Sequence, residues 1–127
     1  MIPAYNVEGA VAKCIESAIG QAWEDKEVIV VDDGSTDETQ RVALSYGDQV
    51  RYVLQENAGQ GAARNRGIEL ATGEFVAFLD ADDYWLPGFL EKTIGFLQRH
   101  PQAVAVLTAW IKKVDEHQQQ LVPPLMQ

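Results

Sequence analysis

Apolar residues along the chain alternate between short unbroken runs and helix-like spacing. Strands are predicted at positions 27–31, 50–54, 75–79 and 103–107, and the unbroken apolar run at 75–79 predicts a strand covered on both faces. Apolar residues recur every three or four positions over about 7–20 and 88–100, which predicts helices there, and further helices are expected over about 35–46 and 62–71. Met1 and Ile2 lead straight into Pro3, like the end of a further strand. This alternating order predicts an α/β fold with a mostly parallel sheet and helices on both faces.

Turn and capping residues refine these boundaries. Gly34 permits a tight turn, and Ser35 and Glu38 have the spacing of a capping box, so a helix is expected to begin there. Residues 110–114 extend the last strand or form another. Residues 116–127 contain two consecutive prolines and no periodicity, so we expect an irregular tail. The length of 127 residues predicts a single domain, 1–127.

Composition excludes several classes of protein. The formal net charge of −9 argues against a nucleic-acid partner, because phosphate backbones require a basic surface. No apolar run approaches the roughly 18 residues of a membrane span, so we expect no span in this chain. Cys14 is the only cysteine, so no internal disulfide can form, and its helical spacing with apolar residues predicts a core position.

Carboxylates follow two of the predicted strands. Asp32 and Asp33 end one strand, and the other ends at Asp80, Asp82 and Asp83. Ligands of open α/β sheets bind at the carboxyl ends of the strands, so we expect all five side chains around one crevice. Such a cluster favours a hard divalent cation with oxygen ligands. The alternative is a polar loop with Asp caps. An EF-hand is excluded because Tyr84 and Trp85 occupy positions that need an oxygen ligand and glycine.

A glycine-bearing loop precedes the third predicted helix. Gly59 and Gly61 suggest a dinucleotide-binding turn, but Arg64 occupies the place of the required third glycine. Arg64 and Arg66 instead offer cations near the acidic crevice, where arginine suits phosphate. A plain helix-surface charge is an equally good interpretation of Arg66.

Four motifs, in order, resemble the family 2 glycosyltransferases of the GT-A fold. They lie at positions 2–6, 30–37, 56–67 and 78–83, and the resemblance reaches to about Thr108. It implies a Rossmann-like fold and an inverting transfer of a sugar from a nucleoside-diphosphate donor, commonly UDP-linked, to an acceptor hydroxyl. The acceptor would be a glycan or a lipid-linked group, in polysaccharide or glycoconjugate synthesis. The usual setting of the family is cytoplasmic, often at the inner face of a membrane.

The resemblance also assigns site residues. Pro3, Ala4 and Tyr5 match the loop along the nucleoside, and Asp33 matches the acid that contacts the nucleobase. Arg64 and Asn65 match the helix start beside the donor. The segment from Asp80 to Asp82 matches the DxD motif, in which Asp80 lies toward the ribose and Asp82 holds Mn²⁺ or Mg²⁺ on the diphosphate.

The sequence departs from the family pattern in two ways, and both affect which activity we expect of this chain. The first strand is much shorter than usual, and the chain stops before the half that carries the catalytic base. Only Asp115 and Glu116 follow Asp83 as remote candidates for that base, so the catalytic residue stays unknown. We expect a nucleotide-sugar-binding half that binds donor but does not transfer sugar alone. The missing strand could leave a sheet gap that a second copy of the chain fills.

Three alternatives stay open. A receiver-type signalling domain would use the acidic pair Asp32 and Asp33, Asp80 as phosphoacceptor, and Thr108. This alternative leaves the helix at 7–20 and the segment at 57–67 unexplained. A phosphatase with Asp80 as nucleophile would need threonine in place of Tyr84. A non-catalytic module that binds nucleotide sugars is the third.

Overall fold

The computed structural model describes residues 1–113 and 119–122. The chain divides into two compact units, Met1–Glu91 and Lys92–Gln127. The elements of the first unit are β1 (Ile2–Ala4), α1 (Val11–Ile19), β2 (Ile29–Asp32), α2 (Thr39–Leu44), a 3₁₀ turn (Gly47–Gln49), β3 (Arg51–Leu54) and α3 (Gln60–Leu70). Helix α4 (Phe89–Arg99) begins in the first unit, and β4 (Trp110–Lys113) and β5 (Gln119–Val122) belong to the second.

A parallel sheet organises the first unit, as the alternating pattern predicts. Its strand order is β1-β2-β3, with Ile2 opposite Val30 and Ile29 opposite Arg51. Because the strands are parallel, their carboxyl ends lie at one edge of the sheet. The residues that follow Ala4, Asp32 and Leu54 are therefore neighbours.

Helices cover both faces of this sheet. Side chains alternate along a strand, so Val28 and Val30 of the β2 region share one apolar cluster with α1 and α2, whereas Ile29 and Val31 pack with Ala63 of α3 on the other face. The helical spacing of α1 is confirmed, because its buried residues are Val11, Cys14, Ile15 and Ala18.

The apolar run at 75–79 was expected to be a strand covered on both faces, and that expectation is wrong. The run is not a regular strand, and Phe75, Val76 and Phe78 are exposed. It does pair on one side: the Met1 ammonium donates to the Ala77 carbonyl at 2.6 Å, and the Leu79 N–H donates to the Met1 carbonyl at 3.1 Å. These two bonds follow the parallel-ladder pattern, so Asp80 reaches the same sheet edge as Asp32.

Three other predictions differ from the structure. Helix α2 begins at Thr39, not at Ser35, because the Ser35 hydroxyl accepts a bond from the Asn6 N–H instead of capping a helix. The run at 103–107 forms no strand, and Val104 and Leu107 are strongly exposed. Part of the stretch expected to be irregular is strand β5, antiparallel to β4, and its remaining residues lie outside the described part.

The second unit contributes no site residue from the predicted set. Its candidate base residues, Asp115 and Glu116, lie outside the described residues. Across the described ranges, no helix has the length and apolar character that crossing a membrane requires.

Candidate functional site

The loops after β1 and β2 are joined at the carboxyl edge of the sheet. The Thr36 N–H donates to Asn6 Oδ1 at 2.8 Å, and the Val7 N–H donates to Thr39 Oγ1 at 2.9 Å. Asn6 adopts a left-handed backbone conformation with φ of 49°, which asparagine tolerates better than most residues. This sharp turn leaves Tyr5 half exposed at the edge, whereas Pro3 and Ala4 are buried within β1.

Asp32 is a buried anchor. Its side chain is fully buried, and its two carboxylate oxygens accept bonds at 2.8 Å from the Ser35 N–H and from the Tyr52 hydroxyl. Burial and the Asp32 carboxylate raise the pKa of Tyr52, so the phenol stays a donor. Both oxygens of Asp32 are thus committed to the turn after β2 and to β3, and not to the crevice.

Asp33 binds the loop that leads into α3. Asp33 Oδ1 accepts from Gln55 Nε2 at 2.7 Å and from the Ala58 N–H at 2.9 Å, and Oδ2 accepts from the Gly59 N–H at 2.8 Å. Burial alone would raise the pKa of Asp33, but these hydrogen bonds outweigh it and lower the pKa below its ordinary value. The residue is only 3% exposed, and its main role in this structure is to hold the loop.

Arg64 and Asp80 form the central ion pair of the site. Arg64 Nη2 lies 2.7 Å from Asp80 Oδ1, and Gln60 Nε2 donates to the same oxygen at 3.2 Å. Gln60 and Arg64 are four residues apart, so they share one face of α3. Asn65 is exposed one position further round the helix. Arg66 pairs with Glu69 at 3.3 Å, which confirms its interpretation as a helix-surface charge.

Asp82 and Asp83 are exposed beyond this ion pair. The carboxyl group of Asp83 is nevertheless partly buried. This burial, together with the charges of Asp82 and Asp80, raises the pKa of Asp83. Of the five carboxylates expected around one crevice, Asp32 and Asp33 are buried and taken up by hydrogen bonds, Asp80 pairs with Arg64, and Asp82 and Asp83 are exposed. Among the residues that the structure describes, no three histidine, cysteine or acidic side chains are grouped to hold a metal ion.

One face of α1 holds the segment that follows Asp80, a feature that the sequence did not reveal. The side chains of Cys14 and Ser17 on that face, and of Gln21 just beyond the end of the helix, bond to backbone atoms. The bonds are Cys14 Sγ to the Asp80 carbonyl at 3.5 Å, the Trp85 N–H to Ser17 Oγ at 3.1 Å, Gln21 Nε2 to the Leu86 carbonyl at 3.0 Å and the Leu90 N–H to Gln21 Oε1 at 3.1 Å. Polar residues on an otherwise apolar helix face were the only available signal, together with the buried Cys14 that was correctly placed in the core.

Comparisons of the sequence with a family model and with curated proteins agree on one family. The family model described as Glycosyl transferase family 2 matches residues 1–124. An uncharacterized glycosyltransferase of Rickettsia conorii is 39% identical over 118 residues, which are 91% of this chain and 20% of that protein. The uncharacterized glycosyltransferase YibD of Escherichia coli is 47% identical over 94 residues, which are 72% of this chain and 27% of YibD. The chain therefore spans only about a quarter of these relatives.

Comparison with solved structures gives a result in agreement with this family. Staphylococcus aureus TarS 1–349 in complex with UDP-GlcNAc superposes with a TM-score of 0.73 at 33% identity, over 79% of this chain and 30% of that one. The UDP complex of glucosyl-3-phosphoglycerate synthase from Mycobacterium tuberculosis superposes with a TM-score of 0.62 at 29% identity, over 76% of this chain and 38% of that one. The receiver and phosphatase alternatives have no support in these similarities.

Proposed function

The chain belongs to glycosyl transferase family 2, with its Rossmann-like GT-A fold, and we propose that it is the donor-binding part of an inverting glycosyltransferase. The donor is a nucleoside-diphosphate sugar, most simply a UDP-sugar, and the sugar goes to a hydroxyl of a glycan or lipid-linked acceptor. The whole enzyme acts in polysaccharide or glycoconjugate synthesis on the cytoplasmic side of a membrane.

The observation that carries this proposal is the Arg64–Asp80 pair at the carboxyl edge of the sheet. It sets a guanidinium and a carboxylate at the same sheet edge as the half-exposed Tyr5, and open α/β sheets bind their ligands at this edge. The nucleoside lies along Pro3, Ala4 and Tyr5, and the remaining guanidinium nitrogens of Arg64 face the diphosphate. TarS was solved with UDP and with UDP-GlcNAc, and its likeness to this chain supports a donor of that class.

The resemblance to the family suggests the roles of two acids. Asp80 lies toward the ribose, with one oxygen already shared by Arg64 and Gln60. Asp33 is the acid nearest the nucleobase in the resembling family, and any such contact would use the remaining lone pair of Oδ2, since Oδ1 already accepts two bonds. Asn65 completes the proposed donor-binding set from α3.

A divalent cation fits the exposed end of the motif. Mg²⁺ and Mn²⁺ in such sites take one or two protein carboxylates and complete their shell with phosphate oxygens and water, so a grouping of three protein ligands is not required. Asp82 is exposed next to Asp83, and it would hold the ion. When bound, the ion would neutralise charge on the leaving nucleoside diphosphate.

The test is calorimetric titration of UDP into the chain, with and without Mn²⁺. We expect metal-dependent binding that Asp82→Asn abolishes, since the change removes the anionic ligand but preserves the shape of the side chain. Asp48→Asn is the matched control, because Asp48 is an exposed acid in the 3₁₀ turn at the opposite end of β3. We expect it to bind as the unchanged chain does.

Two outcomes would contradict the proposal. The first is a folded chain that binds no UDP with or without metal. The second is equal UDP binding by the Asp82→Asn and unchanged chains, which would remove Asp82 from the site. The proposal also holds that the catalytic base lies outside this chain, and sugar transfer by the isolated chain would overturn that part.

A further inference from the structure

Asp33 makes more hydrogen bonds to the loop before α3 than a residue that only contacts a nucleobase would need. Its carboxylate accepts the Ala58 and Gly59 N–H groups, and its backbone carbonyl accepts Asn57 Nδ2 at 2.9 Å. Three consecutive residues before α3 are therefore bound to one residue at the end of β2. Gly59 has a left-handed φ of 95° and is the last residue before the helix, so this contact fixes how α3 begins.

Helix α3 carries that constraint to the second acidic motif. Gln60, the first residue of α3, directly follows the Gly59 amide that Asp33 holds, and Arg64 lies one turn further on the same face. Both side chains end on Asp80 Oδ1, at 3.2 and 2.7 Å. A helix is stiff over a single turn, so a shift of its start displaces both of these contacts.

We infer that Asp33 is a positioning residue, which sets the place of Gln60 and Arg64 against Asp80 by holding the start of α3. The inference rests on the proposed function for its effect on donor binding. It assigns the main effect of Asp33 to the diphosphate side of the donor, through Arg64, and only a minor one to the nucleobase.

The distinguishing experiment compares UDP with inorganic pyrophosphate, both in Mn²⁺, as ligands of the unchanged chain and of Asp33→Asn. Asparagine turns one acceptor oxygen into a donor that faces backbone N–H groups. A positioning role predicts that both ligands bind more weakly by similar factors, about tenfold or more, as for other supporting contacts of a site. Loss of UDP affinity with unchanged pyrophosphate affinity would overturn the inference in favour of a direct base contact.

A double-mutant cycle adds a readout that general destabilisation would not produce. If Asp33 acts through Arg64, then Asp33→Asn combined with Arg64→Gln weakens pyrophosphate binding hardly more than Arg64→Gln alone. Asp48→Asn is the control and should leave affinity unchanged in both backgrounds. Additive losses from Asp33→Asn and Arg64→Gln would contradict the inference.

A measurement on the ligand-free chain separates this inference from the proposed function. Amide hydrogen exchange of residues 58–64 should be faster in Asp33→Asn by about tenfold or more, while α1 exchanges as before. Unchanged exchange at α3 would overturn the inference even if UDP binds. If Asp33→Asn does not fold, Gln55→Met replaces it: this variant removes one donor to Oδ1, and we expect weaker pyrophosphate binding and faster exchange, whereas unchanged values would contradict the inference.

Discussion

The turn at Gly34 allows a quantitative test of how the two loops at the site edge pack. Gly34 has φ of +80°, and a Cβ at this position would lie 3.0 Å from the Asn57 backbone nitrogen and 3.4 Å from the Gln55 carbonyl oxygen. The Gly34→Ala variant therefore meets two costs. The first is the left-handed conformation, about 1–2 kcal/mol for a residue with a side chain. The second is the close approach to backbone, about 1–3 kcal/mol by analogy with overpacked sites.

The loop at 55–59 has little freedom to move away from the added methyl group. The Gln55 N–H donates to the Asp32 carbonyl at 2.9 Å, and Asn57 Nδ2 donates to the Asp33 carbonyl at 2.9 Å. We therefore expect the two costs to add, giving a loss of about 2–5 kcal/mol in the free energy of unfolding. Urea titration followed by far-UV circular dichroism measures it.

Gly47→Ala is the matched control. Gly47 also has a positive φ, of +56°, but a Cβ there would meet nothing within 4 Å. This variant should show only the conformational cost, about 1–2 kcal/mol. The difference between the two variants isolates the close approach of the loops. If Gly34→Ala is no more destabilising than Gly47→Ala, the packing of Gly34 against residues 55–57 does not contribute as we have reasoned.

Three further predictions use the buried polar groups. Burial raises the pKa of the Cys14 thiol to about 12, so Cys14 should not react with Ellman's reagent at pH 8 until urea unfolds the chain; rapid reaction in the folded chain would contradict its placement. Tyr52→Phe removes a donor to the fully buried Asp32 and should cost about 1–3 kcal/mol of unfolding free energy, measured in urea against Tyr46→Phe, whose hydroxyl bonds to an exposed carboxylate. Because folding lowers the pKa of Asp33, the ionised carboxylate stabilises the fold above about pH 4, and this stabilisation is lost as the pH falls further. The difference in unfolding free energy between Asp33→Asn and the unchanged chain should therefore shrink from pH 7 to pH 3. A difference that does not depend on pH would refute this.

Local patterns predicted the first unit well where packing depends on periodicity. The spacing of Val11, Cys14, Ile15 and Ala18 identifies the buried face of α1, and the β-branched run around Val30 identifies the central strand. Both signals work because each element buries its apolar face against a neighbour that is also in the unit. The boundaries were less accurate, since helix ends depend on contacts such as the one between Asn6 and Ser35, which come from a different loop.

The apolar runs at 75–79 and 103–107 show the limit of that logic. An unbroken apolar run predicts burial, but a strand forms only where another strand supplies hydrogen-bond partners. The run at 75–79 has Met1 on one side, and Phe78 remains 46% exposed. The prediction of the site is limited in the same way: the sequence singles out the acids and Arg64 as candidates, but the contacts of Asp33 with residues 22 to 26 positions away cannot be deduced from spacing.

The charge balance explains why metal dependence is the decisive property of the proposed donor site. The chain carries a net charge of −9, and the Arg64 guanidinium is already paired with Asp80. A diphosphate beside the exposed Asp82 and Asp83 would meet more negative than positive charge, which costs free energy unless a cation intervenes. The pKa of Asp83 is raised mainly by burial, and the charges of Asp82 and Asp80 add to the increase. We therefore expect this acidic edge to bind a nucleoside diphosphate together with a divalent ion, and UDP binding without metal would refute the charge argument even where it supports the fold.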